Sequence, residues 1–375
     1  MNILITLSYY LPNISGLTIY VKTLAEELSK SGNSVTVLTS GHSKETEVDA
    51  KRSKVKVVKV WTPFKFGRGP IMPTYFANSF FQVLKSEAVI CQLPQFESIA
   101  IAFWAKVLRR KLIITYHCDL SFWPGFINKI TVFSSYVSHF ITCLLAERIV
   151  VNSKDYADNS PFLKLFKKKL VYIYPPVKLG IREENITFGK NNLKFKVGFV
   201  GRLAKEKGLK YLLETIGYLQ DMLDGRVGIY LVGPGEEVIG GNFQDEIAKL
   251  LASFSDRVFL LGTLNEGQLK KFYKMVDVLV LPSVERMESF GMTQVEAMLS
   301  GCPVVVNDLP GARIPVRLTG MGEIVDVKNP RKFAKAVVEV IKNRNRYKKL
   351  ESKASKIFDY RTSIDKYEEL LGTLS

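Results

Sequence analysis

Histidine and cysteine are scarce in this chain of 375 residues, which has three of the first and four of the second. Cys91, Cys118, Cys143 and Cys302 are scattered and form no CxxC pair. This argues against a disulfide framework or a zinc ribbon and fits a reducing compartment. No basic residue precedes the first apolar run, MNILITLSYYLP, and no small-residue cleavage site is present, so it reads as a buried strand rather than a signal peptide. The longest greasy stretch, Ile130 to Val151, is broken by Ser134, Ser135, Ser138, His139, Glu147 and Arg148. It holds no 18-residue uncharged window, which argues against a membrane span but leaves open a helix lying on a membrane. The loop after the first strand has a single glycine, Gly16, and no GxGxxG, so a dinucleotide-binding turn is not expected.

Positive charge is plentiful. Lys and Arg number 53 against 36 Asp and Glu, a formal net charge of +17. Hydrophobic residues make up 47% and charged residues 24%, an ordinary globular mixture. The length suggests two domains, each large enough to bury its own core. The charge asks for an anionic partner: nucleic acid, a phosphorylated substrate or an anionic membrane surface.

The pattern along the chain is α/β, in two halves. Ile3–Leu7 reads as a strand, Thr18–Ser31 as a helix with Val21, Leu24, Ala25 and Leu28 on one face, and Ser34–Thr39 as a strand. Together they form a βαβ unit. Further strands are expected at Val55–Val60, Ala88–Cys91, Lys111–Thr115 and Arg148–Val151, and the half ends at the double proline of Tyr172–Pro176. Ile181–Asn192 is polar and reads as a linker or exposed loop. The alternation then restarts with Phe195–Val200 (strand), Gly208–Leu219 (helix) and Val227–Val232 (strand). Strands also follow at Val258–Leu261, Val278–Pro282, Val304–Asn307 and Glu323–Val325. Pro330 to Ser375 reads as helical, with a break near Tyr360–Thr362. Two parallel sheets with helices on both faces are expected, with ligands bound beyond the strands' carboxyl ends in a cleft between the halves.

Three stretches of the second half carry chemistry. Phe195–Val200 runs into GRLAKEKG (201–208), where Arg202 offers bidentate donors and Lys207 a mobile point charge for a diphosphate. LVGPG (231–235) is a strand with a glycine turn. In ESFGMTQVEAMLSGCPVVV (288–306) an acidic loop gives way to a helix. The amides of Phe290, Gly291 and Met292 at its start favour phosphate oxygens. Glu288 can approach a sugar, and Glu296, about one turn inside, can reach a ribose diol. Arg313 and Arg317 add positive charge nearby. Taken alone, each stretch also has a plain reading: a solvated basic loop, a sheet-edge turn, and, for Glu296, an ordinary solvated helix residue.

Together, GRLAKEKG, LVGPG and ESFGMTQVEAMLSGCPVVV, with its E-x7-E at Glu288 and Glu296, resemble the retaining glycosyltransferases of family 4. TYHCDL (115–120) and PNISG (12–16) extend the resemblance over nearly the whole chain. It implies the α/β GT-B fold, two Rossmann-like doubly wound domains facing a central cleft. Residues 1–180 would bind the acceptor and residues 193–358 the nucleotide-sugar donor. The final helix, 361–375, would pack back on the first domain. Arg202 and Lys207 would neutralise the departing diphosphate, helped by the amides of Phe290, Gly291 and Met292. Glu288 would contact the donor sugar and Glu296 the ribose. Gly201 and Gly233 would line the donor site, and Gly16 would lie near acceptor or phosphate. Many family members have two glycines in that first loop, where this chain has Ser15 and Gly16. His117 would hydrogen-bond a sugar hydroxyl, while His42 and His139 carry no role. No cofactor and no metal are expected, in keeping with the absence of a DxD from these loops.

The first half also interleaves aromatic with basic residues. Trp61, Phe64, Phe66, Tyr75, Phe76, Phe80 and Phe81 lie among Lys59, Lys65 and Arg68, and Trp104 is followed by Lys106, Arg109, Arg110 and Lys111. Phe122, Trp123, Pro124, Phe126 and Ile127 precede Lys129. This composition suits an anionic lipid surface, and the expectation is a cytoplasmic protein peripheral on the inner face of the cell membrane with a lipid-linked acceptor. A soluble glycan acceptor is the alternative. In other classes, a nucleic-acid-binding module explains the charge but not Glu288 and Glu296. A sugar-nucleotide epimerase or a non-catalytic sugar-nucleotide-binding subunit shares the two-domain shape.

Overall fold

The structure, a computed structural model, describes residues 1–41, 54–66, 69–121, 125–180, 183–184, 193–234 and 242–373. His42, Arg68, Phe122, Trp123, Pro124, Gly235 and all of the expected linker but Glu183 and Glu184 lie outside them. The chain divides into two units: Met1–Pro176 with Tyr360–Ser375, and Val177–Asp359.

Unit 1 begins with β1 (Asn2–Thr6), α1 (Gly16–Lys30), β2 (Ser34–Ser40) and β3 (Lys56–Val60). A short antiparallel pair, β4 (Phe64–Phe66) and β5 (Gly69–Ile71), falls in the aromatic-basic stretch, where no strand is evident from periodicity. Then come α2 (Tyr75–Leu84), β6 (Ala88–Leu93), α3 (Ser98–Val107), β7 (Lys111–Tyr116) and α4 (Phe126–Leu145). β8 (Arg148–Val151), α5 (Lys154–Asn159), a 3-10 helix (Leu163–Lys169) and β9 (Leu170–Tyr172) follow. The seven-stranded parallel sheet has the order β3-β2-β1-β6-β7-β8-β9. Its central strands are mostly apolar because both faces are covered: all six residues of β6 are buried, Gln92 among them. α1 starts at Gly16, two residues before the expected Thr18. The reason is the Ser15 hydroxyl, which accepts from the Thr18 amide at 3.2 Å as an N-cap.

Unit 2 contains β10 (Phe195–Val200), α6 (Leu209–Glu214), α7 (Ile216–Met222), β11 (Val227–Val232), α8 (Asn242–Ser253) and β12 (Val258–Leu260). It continues with α9 (Glu266–Met275), β13 (Val278–Leu281), α10 (Met292–Met298), β14 (Val304–Asn307), α11 (Ile314–Thr319) and β15 (Gly322–Val325). Its six-stranded parallel sheet runs β12-β11-β10-β13-β14-β15. Both sheets thus step outward in one direction, return to the centre, and step out in the other. This doubly wound order puts a switch point between β1 and β6 in unit 1 and between β10 and β13 in unit 2. The single helix expected over Gly208–Leu219 is instead two. The Thr215 hydroxyl donates to the Tyr211 carbonyl at 2.6 Å, and such back-bonding bends a helix.

The C-terminal segment is α12 (Pro330–Lys342), α13 (Arg344–Lys348), α14 (Glu351–Ile357) and α15 (Tyr360–Thr373). The expected break near Tyr360–Thr362 lies earlier, at Phe358–Asp359, where buried Phe358 meets the Phe290 ring edge-on at 5.9 Å. α15 belongs to unit 1. The Tyr367 hydroxyl shares hydrogen bonds of 2.8 Å with both the Tyr20 hydroxyl of α1 and Thr115 Oγ1 of β7, and all three residues are fully buried. Removing that oxygen leaves two buried hydroxyls short of a partner. Tyr367→Phe is therefore expected to destabilise unit 1 by about 1–3 kcal/mol. An unchanged urea-unfolding midpoint would refute this.

Candidate functional site

In unit 2 the loops leaving β10, β11 and β13 touch backbone to backbone. Gly208 has φ +70°, and a Cβ there would land on the Pro282 carbonyl oxygen. Gly233 has φ +140°, and its Cβ would land on the carbonyl of Gly201. The Gly201 amide donates to the Val232 carbonyl at 2.9 Å, and the Gly233 amide to Gly262 at 2.8 Å. A side chain at either tight position would push the loops apart.

This contact sets the charges. Lys207 ends a short 3-10 turn, Lys205–Lys207, just before Gly208. Its Nζ donates to Glu288 Oε2 at 2.6 Å, and Ser283 Oγ donates to the same oxygen at 3.2 Å. The pair is partly buried, with 25% of the Lys207 side chain and 13% of Glu288 exposed. Ser283 itself is buried, and its carbonyl accepts from Asn307 Nδ2 at 2.8 Å. Arg202 makes a separate pair: its Nη2 meets Glu206 Oε1 at 2.7 Å. Glu206 is buried while nearly half of the Arg202 side chain is exposed, so the guanidinium is anchored from below and open above. The Glu206 carbonyl also accepts from the Val284 amide at 3.0 Å, tying the basic loop to the acidic one.

Gly291, with φ +79°, is the N-cap of α10, and Met292 is its first residue. Gln294 is fully buried, and its Nε2 donates to the carbonyls of Phe290 at 2.7 Å and Ala312 at 2.6 Å, fixing the turn. The Phe290 ring is in the core, so only its backbone is available to a ligand. Glu296 is half-buried and accepts from the Tyr273 hydroxyl at 2.6 Å. Burial pushes its carboxyl up to about 7, against the lowering effect of that bond. Arg313 and Arg317 add less positive charge than the sequence suggests, because Asp308 pairs with them at 2.9 and 3.8 Å.

In unit 1, His117 follows β7. Its amide donates to the Leu93 carbonyl at 2.9 Å, and its Nε2 shares a 2.8 Å hydrogen bond with Gln92 Oε1. The Tyr20 ring meets the imidazole edge-on at 4.8 Å. Asp119 holds the loop: Oδ1 accepts from the Tyr116 and Ser160 hydroxyls, and the Asp119 amide donates to Tyr156. A Cβ on Gly16 would meet none of the described residues within 4 Å. His139 is buried in α4, where Nε2 accepts from the Gln95 amide at 3.3 Å.

The structure therefore brings Lys207 to Glu288 and the loop of Gly201 to that of Gly233. His117 and Gly16 stand in the other unit. Gln92, Ser283, Glu206, Tyr273 and Gln294 escape a reading of motifs. The one usable signal was polarity inside an apolar run: Gln92 interrupts AVICQL and is fully buried.

Residues 14–180 match the family described as Glycosyltransferase Family 4, and residues 181–357 the one described as Glycosyl transferases group 1. An uncharacterized glycosyltransferase of Methanocaldococcus jannaschii is 33% identical over 165 residues, 42% of this chain and 40% of that protein. An uncharacterized 41.2 kDa protein in the cps region of Klebsiella pneumoniae is 30% identical over 222 residues, 56% of each chain. The aligned part thus spans 40% of the first relative's length and 56% of the second's. Among solved structures, Anabaena HepE in complex with UDP and glucose superposes with a TM-score of 0.78 at 18% identity, covering 99% of both chains. That likeness carries the fold: α/β, with two Rossmann-like doubly wound domains, the GT-B arrangement.

Burial lowers the His117 imidazole from 6.5 to about 4. Between those values the unfolded chain binds a proton that the folded chain does not, so His117 costs stability as pH falls from about 6.5 toward 4. An NMR titration should find its ring neutral at about pH 5.5, a full unit below the ordinary histidine value. A midpoint near 6.5 would refute the lowering.

Proposed function

From the premise that the chain belongs to the family 4, group 1 glycosyltransferases, we propose that it moves a sugar from a nucleoside diphosphate sugar to a lipid-linked acceptor with retention at the anomeric carbon. The observation that carries this reading is the Lys207–Glu288 pair at the switch point of unit 2. A diphosphate leaving group develops negative charge as the bond from the anomeric carbon to its oxygen breaks. Pre-placed cations that need no reorganisation stabilise that charge. Lys207 is held in place by Glu288, itself anchored by the Ser283 hydroxyl, and Arg202 by Glu206, so both meet the requirement. The amides of Phe290, Gly291 and Met292 add donors at the start of α10, and the contact between Gly233 and the Gly201 carbonyl holds the loops after β10 and β11 together beside them.

Glu288 has a second oxygen for sugar hydroxyls, and Glu296 accepts from the ribose diol. His117, neutral at physiological pH, exchanges a hydrogen bond with a sugar hydroxyl without adding charge. The acceptor hydroxyl attacks on the face the diphosphate leaves. The departing phosphate oxygen takes its proton, so the new C–O bond forms as the old one breaks. In this reading lysine, arginine and amides do the electrostatic work often given to a divalent ion. The Anabaena protein's complex with UDP and glucose supports a nucleotide-sugar donor. UDP- and GDP-sugars are the donors to screen, and the proposed location is the cytoplasmic face of the membrane.

Lys207→Ala, Glu288→Ala and His117→Ala are expected to lower turnover, with about a 10²–10³-fold loss for Lys207→Ala, while circular dichroism stays native. Full transferase activity in all three would refute the site. Activity should also survive dialysis against EDTA, and loss restored by a divalent ion would overturn the metal-free reading. Calorimetry of UDP binding should show affinity falling about tenfold from roughly pH 8 to pH 6 as Glu296 protonates, a slope that Glu296→Gln removes. Equal slopes in the two proteins would take the ribose contact away from Glu296.

A further inference from the structure

Helix α4 is built inside out. Its buried residues are Ser138, His139, Thr142 and Cys143. The polar side chains among them find partners in the fold: Thr142 and Ser138 meet Ser98 of α3 at 2.9 and 3.3 Å, and His139 accepts from the Gln95 amide. Its outer face is apolar. Ile130, Phe133, Val137, Phe140 and Leu144 are 42–69% exposed. An amphipathic helix on a water-facing surface shows the opposite pattern.

The apolar surface does not stop at α4. α3 packs beside it and exposes Ile99, Phe103 and Val107, and α2 packs beside α3 and exposes Phe76, Phe81 and Leu84. Rings join the last two helices, with Phe76 5.8 Å from Phe103 and 4.8 Å from Trp104. The three helices contain no Asp or Glu. The carboxyl next to them, Glu97 before α3, is pushed up to about 7 by burial, which weakens its charge. Cations border the face. Lys85, Lys106 and Lys129 are exposed at its helices, and Lys164, Lys167 and Lys168 are exposed on the 3-10 helix, whose Phe166 touches Phe140 at 5.4 Å. An apolar, acid-free surface with a lysine border fits the interface of an anionic bilayer, where rings sit at headgroup depth and lysines meet the phosphates.

We infer that the outer face of α2, α3 and α4 is the surface by which unit 1 docks on an anionic lipid bilayer. Among the described residues no helix is long and apolar enough to cross a membrane, and the docking inferred is by this face alone. A second copy of the chain is the rival occupant, since the α4 stripe has the 3-4 spacing of a coiled-coil seam. The neighbouring positions argue against it. Ser134, Tyr136, Ile141 and Cys143 carry no charge to pair across a seam, and the apolar surface continues over two further helices.

The inference deepens the proposed lipid-side acceptor, and its test is separate from that reading. The full chain is sedimented with vesicles of phosphatidylcholine, alone or mixed with phosphatidylglycerol, at low and high salt. Wild type should bind the anionic vesicles, more weakly as salt rises. The double variant Ile130→Ser, Phe133→Ser should bind at least about tenfold more weakly with an unchanged melting temperature and unchanged donor hydrolysis. Lys164→Gln, Lys167→Gln, Lys168→Gln should lose the salt-sensitive part. Failure of wild type to sediment with anionic vesicles at low salt, or equal binding by the double variant, overturns the docking face. So does light scattering that finds a dimer which the double variant dissociates while vesicle binding persists. A chain that binds vesicles but turns over no UDP- or GDP-sugar keeps the face and loses the transferase reading. One that turns over donor and ignores vesicles does the reverse.

Discussion

Unit 2 depends on carbonyl oxygens meeting glycines. Pro282, after β13, lies where a side chain at residue 208 would go, and Gly201, after β10, lies where one at residue 233 would go. These approaches draw the loops leaving the central strands together at the carboxyl ends of the sheet. Lys207 precedes one of the glycines directly and Glu288 lies in the loop that the other partner begins, so residues 81 apart in sequence share a bond. The pair is a poor source of stability, because two partly buried charges lose much of their hydration. Its consequence is positional. A lysine left to itself samples many rotamers, whereas Glu288, fixed in turn by the Ser283 hydroxyl, holds this one at one point. The same logic repeats at Arg202, anchored by a buried glutamate and open on its other side.

Much of this was legible in the sequence, for a physical reason. Strands of a covered parallel sheet are mostly apolar, so Phe195–Val200, Val227–Val232 and Val304–Asn307 stand out and match the observed strands residue for residue. The site loops are legible because they follow those strands directly. What escaped depends on single hydrogen bonds. The Ser15 cap moves the start of α1, and the Thr215 back-bond divides a helix. Pairing across the fold escaped too. Glu206 lies in the basic loop GRLAKEKG with no role evident from its motif, yet it is buried and paired with Arg202. Arg313 and Arg317 read as free positive charge, yet Asp308 answers both.

Helix α4 shows a different kind of illegibility. Its Ser and His residues interrupt a greasy run, and interruption weakens the case for a membrane span. The fold turns two of them, Ser138 and His139, inward, where they bond to Ser98 of α3 and to the Gln95 amide. The spacing of apolar residues cannot tell an ordinary helix from an inverted one, since both have one polar and one apolar face. Only the burial of each face separates them.

The excess of 17 positive charges is therefore not one property. In unit 2 Lys207 and Arg202 are matched by carboxylates at bonding distance, which fix where their remaining donors stand. In unit 1 the lysines around α2, α3 and α4 border a surface without carboxylates of its own. A matched cation keeps its place whether or not a ligand is present, which suits a small anion that must arrive and leave. Unmatched cations beside apolar rings gain only from a partner that supplies both phosphate and hydrocarbon. A polar, water-borne donor fits the first arrangement, and an acceptor carried in lipid fits the second.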